Sequence, residues 1–249
     1  PNIDPLTEHL ILLTGGHMAA ELTRAGKRGV VHSAMYDNWW QGGFRSTVYR
    51  HNMVGLLTEA ASVRIASPIF KSKNELRGGI RGLDTYTMTV NFPDPWPGGW
   101  WRLRDIVEYE KISCMSIFTL AARYRNLFIS NTIKLAREAV EKGKSEPPFA
   151  WLAPPEQHDS GAAIRMLQIL RDTGIEVCRA EEAFTADGVP YPPGTYILYC
   201  AQPYRAHLND MMEPQRYPDR VRYPGGPPEQ PYDIAGWTLA LQKIGRAHV

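Results

Sequence analysis

The chain has 249 residues, with 28 Lys and Arg against 26 Asp and Glu, a formal charge of +2. At roughly 150 residues per domain that is one or two domains, and a composition 43 % hydrophobic and 22 % charged excludes wholesale disorder. Near-neutral charge argues against nucleic acid or an acidic membrane as the main partner, since both demand a basic excess. No apolar run approaches the ~20 residues of a bilayer span.

Cys114, Cys178 and Cys200 are widely spaced and form no CxxC, so neither a disulfide framework nor a zinc ribbon is indicated. Three buried thiols are expected, because free Cys packs as a small hydrophobe. The chain begins at Pro1 rather than Met. It ends in Ile244-Gly245-Arg246-Ala247-His248-Val249, the translation of ATC GGA AGA GCA CAC GTC, which matches a sequencing-adapter read-through. We read residues 244–249 as an artefact and the chain as an internal piece of a longer reading frame, so His248 carries no functional weight.

In chain order, residues 5–24 place Leu6, Leu10, Leu13, Met18 and Leu22 on a near-3.6 period, with Pro5 at the start and Gly26 as a stop. That predicts a helix. Gly15-Gly16 inside it disfavours the helix by about 2 kcal/mol against Ala and suggests close packing on a neighbour. Residues 30–36 read as extended, leading into an aromatic, Gly-rich loop with Trp39, Trp40, Gly42 and Gly43. A short turn or helix over 46–52 comes next. The apolar run 53–58 reads as a strand buried on both faces, and 86–90 as a second strand. Helix formers fill 103–142 as one long helix or two joined ones, which Gly143 closes.

Residues 144–148, Lys-Ser-Glu-Pro-Pro, read as a linker. Beyond it come a strand at 149–153, an amphipathic helix at 161–170 with Gly174 as its stop, and a strand at 175–179. This is a βαβ unit with a parallel sheet. A further strand at 195–200, a helix at 204–212 and a turn-rich tail complete the chain.

Glu59 stands at the C-terminal end of the apolar run, where open α/β sheets place their ligands. A carboxylate in apolar surroundings suits general acid or base work near neutral pH; the plain alternative is a strand-end Glu facing solvent. Gly42-Gly43, then Arg45, Tyr49 and Asn52, then Met53-Val54-Gly55-Leu56-Leu57-Thr58-Glu59 resembles the C-terminal half of a zinc carboxypeptidase of the carboxypeptidase A type. In that family a Gly-Gly loop precedes a strand ending in the catalytic Glu. The longer stretch from Pro1-Asn2-Ile3-Asp4-Pro5 to Glu59-Ala60-Ala61-Ser62 is similar to large bacterial members, which carry an amidotransferase-like module after the peptidase domain. Ala201-Gln202-Pro203-Tyr204-Arg205 and the 223–228 stretch look like that module.

The resemblance implies an α/β chain: the C-terminal half of a carboxypeptidase-type α/β/α sheet over 1–143, with a long helical segment, the linker, and a truncated flavodoxin-like βαβ module over 149–243. It implies metal-assisted hydrolysis of a C-terminal peptide bond, with a peptide or protein C-terminus as substrate. Zinc lowers the pKa of its bound water, and Glu59 takes the proton and passes it to the leaving amine. The family's zinc ligands are a His-x-x-Glu pair and a later His. No His here heads a His-x-x-Glu; His17 has its Glu four residues on, at Glu21. The ligands are expected before Pro1, so this chain alone is expected to be inactive, with no metal ligand of its own.

The family's mobile Tyr corresponds to Tyr36, Trp39 or Trp40, and Gly43 belongs to the substrate loop. Arg45 lines the pocket for the terminal side chain, where a cation favours an acidic residue; otherwise it bonds a carbonyl or a surface carboxylate. His51, ahead of the strand, reads as structural rather than as a ligand or base. Cys200 lacks the flanking Gly of a nucleophile elbow, so the second module is expected to bind or pack through Gln202, Tyr204 and Arg205 rather than to catalyse. Trp96, Trp100 and Trp101 suit packing between modules, or a sugar or peptide. Family habit favours an extracytoplasmic location, periplasmic or secreted. The other reading of the whole chain is a non-catalytic peptide-binding or interaction scaffold derived from the peptidase fold.

Overall fold

The structure, a computed structural model, describes residues 3–33, 43–79, 83, 85–215, 218–221, 223–229 and 238–243. Helices and small antiparallel sheets alternate: α1 (Pro5–Arg24), α2 (Phe44–Tyr49), β1 (Ile69–Lys71), β2 (Gly99–Trp101), α3 (Leu103–Arg123), α4 (Arg125–Ser145), β3 (Ala150–Ala153), α5 (Ser160–Asp172), β4 (Cys178–Arg179), β5 (Phe184–Ala186), β6 (Val189–Tyr191), β7 (Tyr196–Tyr199), α6 (Arg205–Met212) and α7 (Leu239–Lys243). The class is therefore mixed helix and sheet. No helix among the described residues is long and apolar enough to cross a membrane.

The chain divides into two compact units. One, the α/β unit, comprises Pro1–Asp4, Asp37–Met53 and Ser130–Val249; the other, the helical unit, comprises Pro5–Tyr36 and Val54–Ile129. The 144–148 stretch expected as a linker lies inside the α/β unit, and α4 extends into it as far as Ser145.

In the helical unit, α1 buries Thr7, Leu10, Thr14, Met18 and Leu22 along one stripe and packs on α3. Its end is set by Gly26, which sits at φ 73°. There the Gly26 N–H reaches Thr23 O and the Lys27 N–H reaches Leu22 O, the paired closing bonds of a Schellman stop. The close neighbour expected at Gly15-Gly16 is not found: a Cβ on either would meet open space. α3 and α4 are two helices joined at Tyr124. β1 and β2 form an antiparallel pair, with Phe70 opposite Trp100. Residues 86–90 are not a strand; Thr89 and Phe92 exchange N–H···O bonds across a tight turn.

Residues 53–58 are not a strand either. They follow α2 without regular secondary structure, and Met53 and Leu57 are 45 % and 44 % exposed. A continuous apolar run is buried on both faces only where strands bond both its edges, and no described strand pairs with it.

The α/β unit is built on a three-stranded sheet ordered β3-β7-β4. The expected parallel sheet is corrected here. β7 is antiparallel to both neighbours, so β3 and β4 run parallel to each other but are separated by it. The reversal comes from the β5–β6 hairpin, whose Asp187-Gly188 turn has φ of 48° and 77°, the two positive values of the favoured two-residue turn. α5 crosses from β3 to β4, capped by Asp159, whose carboxylate accepts the Ala162 N–H at 2.8 Å. Trp151, Met166, Leu170, Ile175, Leu198, Leu208 and Met212 fill the core between sheet and helices.

Candidate functional site

Gly43 opens α2: its carbonyl accepts the N–H groups of Ser46 and Thr47 and both of their hydroxyls. Arg45 lies on this short helix, half-buried. A six-residue helix is too short to persist alone, so its placement depends on the anchors at Arg50 and Asn52. Arg50 is almost fully buried, its side chain 1 % exposed. It forms an ion pair with Asp210 of α6 and donates to Ser46 O at 3.0 Å. Asn52 adopts φ 60°, a left-handed conformation that Asn tolerates better than most residues. Its amide donates to Pro203 O at 2.9 Å, and its carbonyl accepts the Thr132 hydroxyl at 3.0 Å.

Between these two anchors stands His51. Nδ1 lies 2.7 Å from Thr47 O and Nε2 lies 2.8 Å from Thr173 O. Its ring packs on Tyr204 at 4.6 Å and on His207 at 4.4 Å between centroids. His207, 2 % exposed, places Nε2 3.0 Å from Thr173 Oγ1, while Nδ1 is buried without a hydrogen-bond partner. Burial brings the His207 pKa down to about 3, with the charges of His51 and Arg50 acting in the same direction. His51 thus has the structural role read from the sequence, and its partners Thr173, Tyr204 and His207 come from chain segments more than 100 residues away.

Of the surface expected at Gln202, Tyr204 and Arg205, Gln202 is interior while Tyr204 and Arg205 are half-buried. Gln202 is buried, donating to Tyr199 O at 2.5 Å and accepting the Glu176 N–H at 2.9 Å. Arg205 donates to Glu146 O and Pro147 O. Cys200 is buried with its thiol 3.5 Å from Asn209 Oδ1. Burial pushes its pKa up to about 11, the reverse of what an activated nucleophile requires. Asn209 also accepts the Trp151 indole N–H at 3.0 Å. The expectation of three buried thiols fails for Cys114 and Cys178, which are exposed; both sit on solvent-facing positions of their elements.

Glu59 belongs to the helical unit, at the end of the unpaired run, with its side chain exposed. Gly43 and Arg45 belong to the α/β unit. Tyr36, Trp39 and Trp40 lie outside the described residues. Among the described residues no group of three His, Cys, Asp or Glu side chains is arranged to hold a metal ion. His17 instead bonds Ser116 of α3 at 2.7 Å. Trp96 and Trp101 pack together within the helical unit, the Trp101 indole donating to Ala61 O at 2.6 Å, while Trp100 is exposed beside Phe70.

The residues that sequence reasoning missed are Arg50, Asp210 and the Thr173–His207 bond. Arg50 and Asp210 are 160 positions apart, and no local pattern announces a long-range buried pair. Compared with protein-family models, curated proteins and solved structures, the chain matches none.

Proposed function

We propose that this chain is the C-terminal part of a carboxypeptidase A-type peptidase domain joined to an amidotransferase-like, flavodoxin-related α/β module. In this reading Glu59 is the general base for hydrolysis of a C-terminal peptide bond. It takes a proton from the attacking water and delivers it to the leaving amine, a role that contributes about 10²–10⁴ in rate. What supports the reading is the order Gly42-Gly43, Arg45, Asn52, Glu59, with Glu59 at the end of an apolar run sixteen residues after Gly43; its exposed side chain matches the plain solvent-facing alternative equally. The strand–helix–strand passage β3–α5–β4 supports a second α/β module. The zinc ligands belong, in this reading, to sequence other than the residues described.

A second reading, a non-catalytic peptide-binding or interaction scaffold, draws on α2. Gly43 and the buried Arg50 serve the packing of the α/β unit rather than an open cleft. The test is a peptide-panel assay on the longer reading-frame product, comparing wild type with Glu59→Gln, with and without chelator. Chelator-sensitive release of terminal amino acids, reduced at least ~100-fold by Glu59→Gln, is the expected result, and Arg45→Gln should remove a preference for acidic termini. No release from folded, zinc-loaded protein refutes the peptidase reading in favour of the scaffold.

A further inference from the structure

α3 turns its larger apolar side chains away from its own core. Against α1 it buries Ser113, Ser116 and Leu120, and Ser116 bonds His17 across that contact. The opposite stripe, residues 107, 111, 115, 118 and 122, recurs at steps of three and four. It carries Val107, Met115 and Phe118, which are 50 %, 55 % and 66 % exposed. Past Tyr124 the same unit adds Leu127 and Ile129, also exposed. Scattered singly such side chains need no explanation, but a row of them along about 20 Å of helix marks an interaction surface.

Charge says what kind of surface it fits. The chain as a whole is near neutral, yet between Glu110 and Glu138 it has five cations, Lys111, Arg123, Arg125, Lys134 and Arg137, and no Asp or Glu. Lys111 lies within the apolar stripe, and Arg123 and Arg125 stand at the C-terminal end of α3; all three are exposed. The Lys111 stem can cover apolar surface while its ammonium stays in water. A second copy of the chain laid on this face would bring like charges together, which disfavours pairing. A convex helix with an apolar stripe and cations beside it suits a lipid headgroup region, where apolar burial and attraction to anionic lipids act together.

We propose that the outward face of α3 docks on an anionic lipid surface, with Met115 and Phe118 entering the boundary between headgroups and acyl chains and Lys111, Arg123 and Arg125 meeting the phosphates. The helix lies on the bilayer and does not cross it. Each cation near such a surface strengthens binding about fivefold, so the two arginines together contribute about 30-fold. Burial of the Phe118 ring contributes about tenfold. None of this depends on the catalytic reading of Glu59.

The native thiol of Cys114 can report on the face, because it is exposed and lies four residues before Phe118 on the same side of the helix. In Cys178→Ser it is the one exposed thiol, since Cys200 is buried. The experiment places an environment-sensitive dye on Cys114 of this chain and titrates it with vesicles of phosphatidylcholine, alone or with about one-third phosphatidylglycerol. The emission should shift to the blue with the anionic vesicles only, and binding should weaken steeply as salt rises from about 50 to 500 mM. Arg123→Gln/Arg125→Gln should weaken binding about 30-fold and Phe118→Ser about tenfold. All three positions are exposed, so the circular dichroism should not change. An absent shift with anionic vesicles overturns the proposal, as does an equal shift with phosphatidylcholine alone. A shift that follows protein concentration without vesicles overturns it in favour of a second copy, and one as large with polyglutamate in favour of an acidic protein. These four results are read without the arginine and phenylalanine variants and stand whether or not those fold.

Discussion

Gly143 and Gly16 both lie in helix interiors, and the structure assigns opposite signs to the same substitution. In an open helix, replacing Gly by Ala gains about 1 kcal/mol, because Ala has less backbone freedom to lose. Gly16 meets that condition: it is exposed, and a Cβ there would touch nothing within 4 Å. At Gly143 a Cβ would fall inside the main chain of Cys200 and Ala201, just after β7. Those atoms cannot rotate aside as a side chain can, so α4 and the sheet would have to separate by about an ångström. Overpacking of this kind costs about 1–3 kcal/mol, and backbone against backbone belongs at the top of that range. Subtracting the helix gain leaves Gly143→Ala about 2 kcal/mol less stable. At 2–4 °C per kcal/mol for chains of this size, the melting temperature should fall ~4–8 °C, and Gly16→Ala should raise that of its own unit ~2–4 °C. Thermal and urea unfolding followed by circular dichroism would measure both. A Gly143→Ala protein as stable as wild type, or more so, would refute the close approach of α4 to the strand end.

Asp210→Asn should be more severe, about 3–5 kcal/mol, because it leaves the Arg50 guanidinium buried without its charge partner; replacing both residues with apolar ones should restore most of the loss in the urea midpoint. The thiols should separate by accessibility: an aromatic disulfide reagent at pH 8 should titrate Cys114 and Cys178 in the native protein. Cys200 should react only after denaturation, since burial both shields it and pushes its pKa to about 11.

What was legible in the sequence was local. The 3.6 period of α1 and its stop at Gly26 depend on neighbours within one turn, and both are found. The strand, helix and strand over 149–179, the strand at 195–200 and the helix at 204–212 are found with modest shifts of their ends, β4 shrinking to Cys178–Arg179. Strand direction was less legible, because it depends on the β5–β6 reversal; the Asp187-Gly188 dipeptide was the available signal. Gly143 was misread for a related reason: a glycine that ends a helix and one that admits a neighbouring backbone look alike in one dimension. The helix runs on to Ser145. Burial of Arg50, Asp210 and His207 was out of reach, since each is decided by a partner distant in sequence.

The chain changes character at Met53. Up to Asn52 the polar side chains that anchor the α2 segment are each assigned: Arg50 to Asp210 and Ser46, His51 to two carbonyls, Asn52 to Pro203. Such a network fixes one arrangement, because misplacing any member leaves a buried polar group unsatisfied. From Val54 to Ser62 the backbone has no assigned secondary structure, with Leu57, Thr58 and Glu59 exposed. An unpaired apolar run is a template for another strand, and a lone extended segment has little stability of its own in water. The catalytic reading of Glu59 therefore turns on which strand pairs with 53–58, whereas the polar anchoring of the α2 segment depends only on contacts already present in the α/β unit.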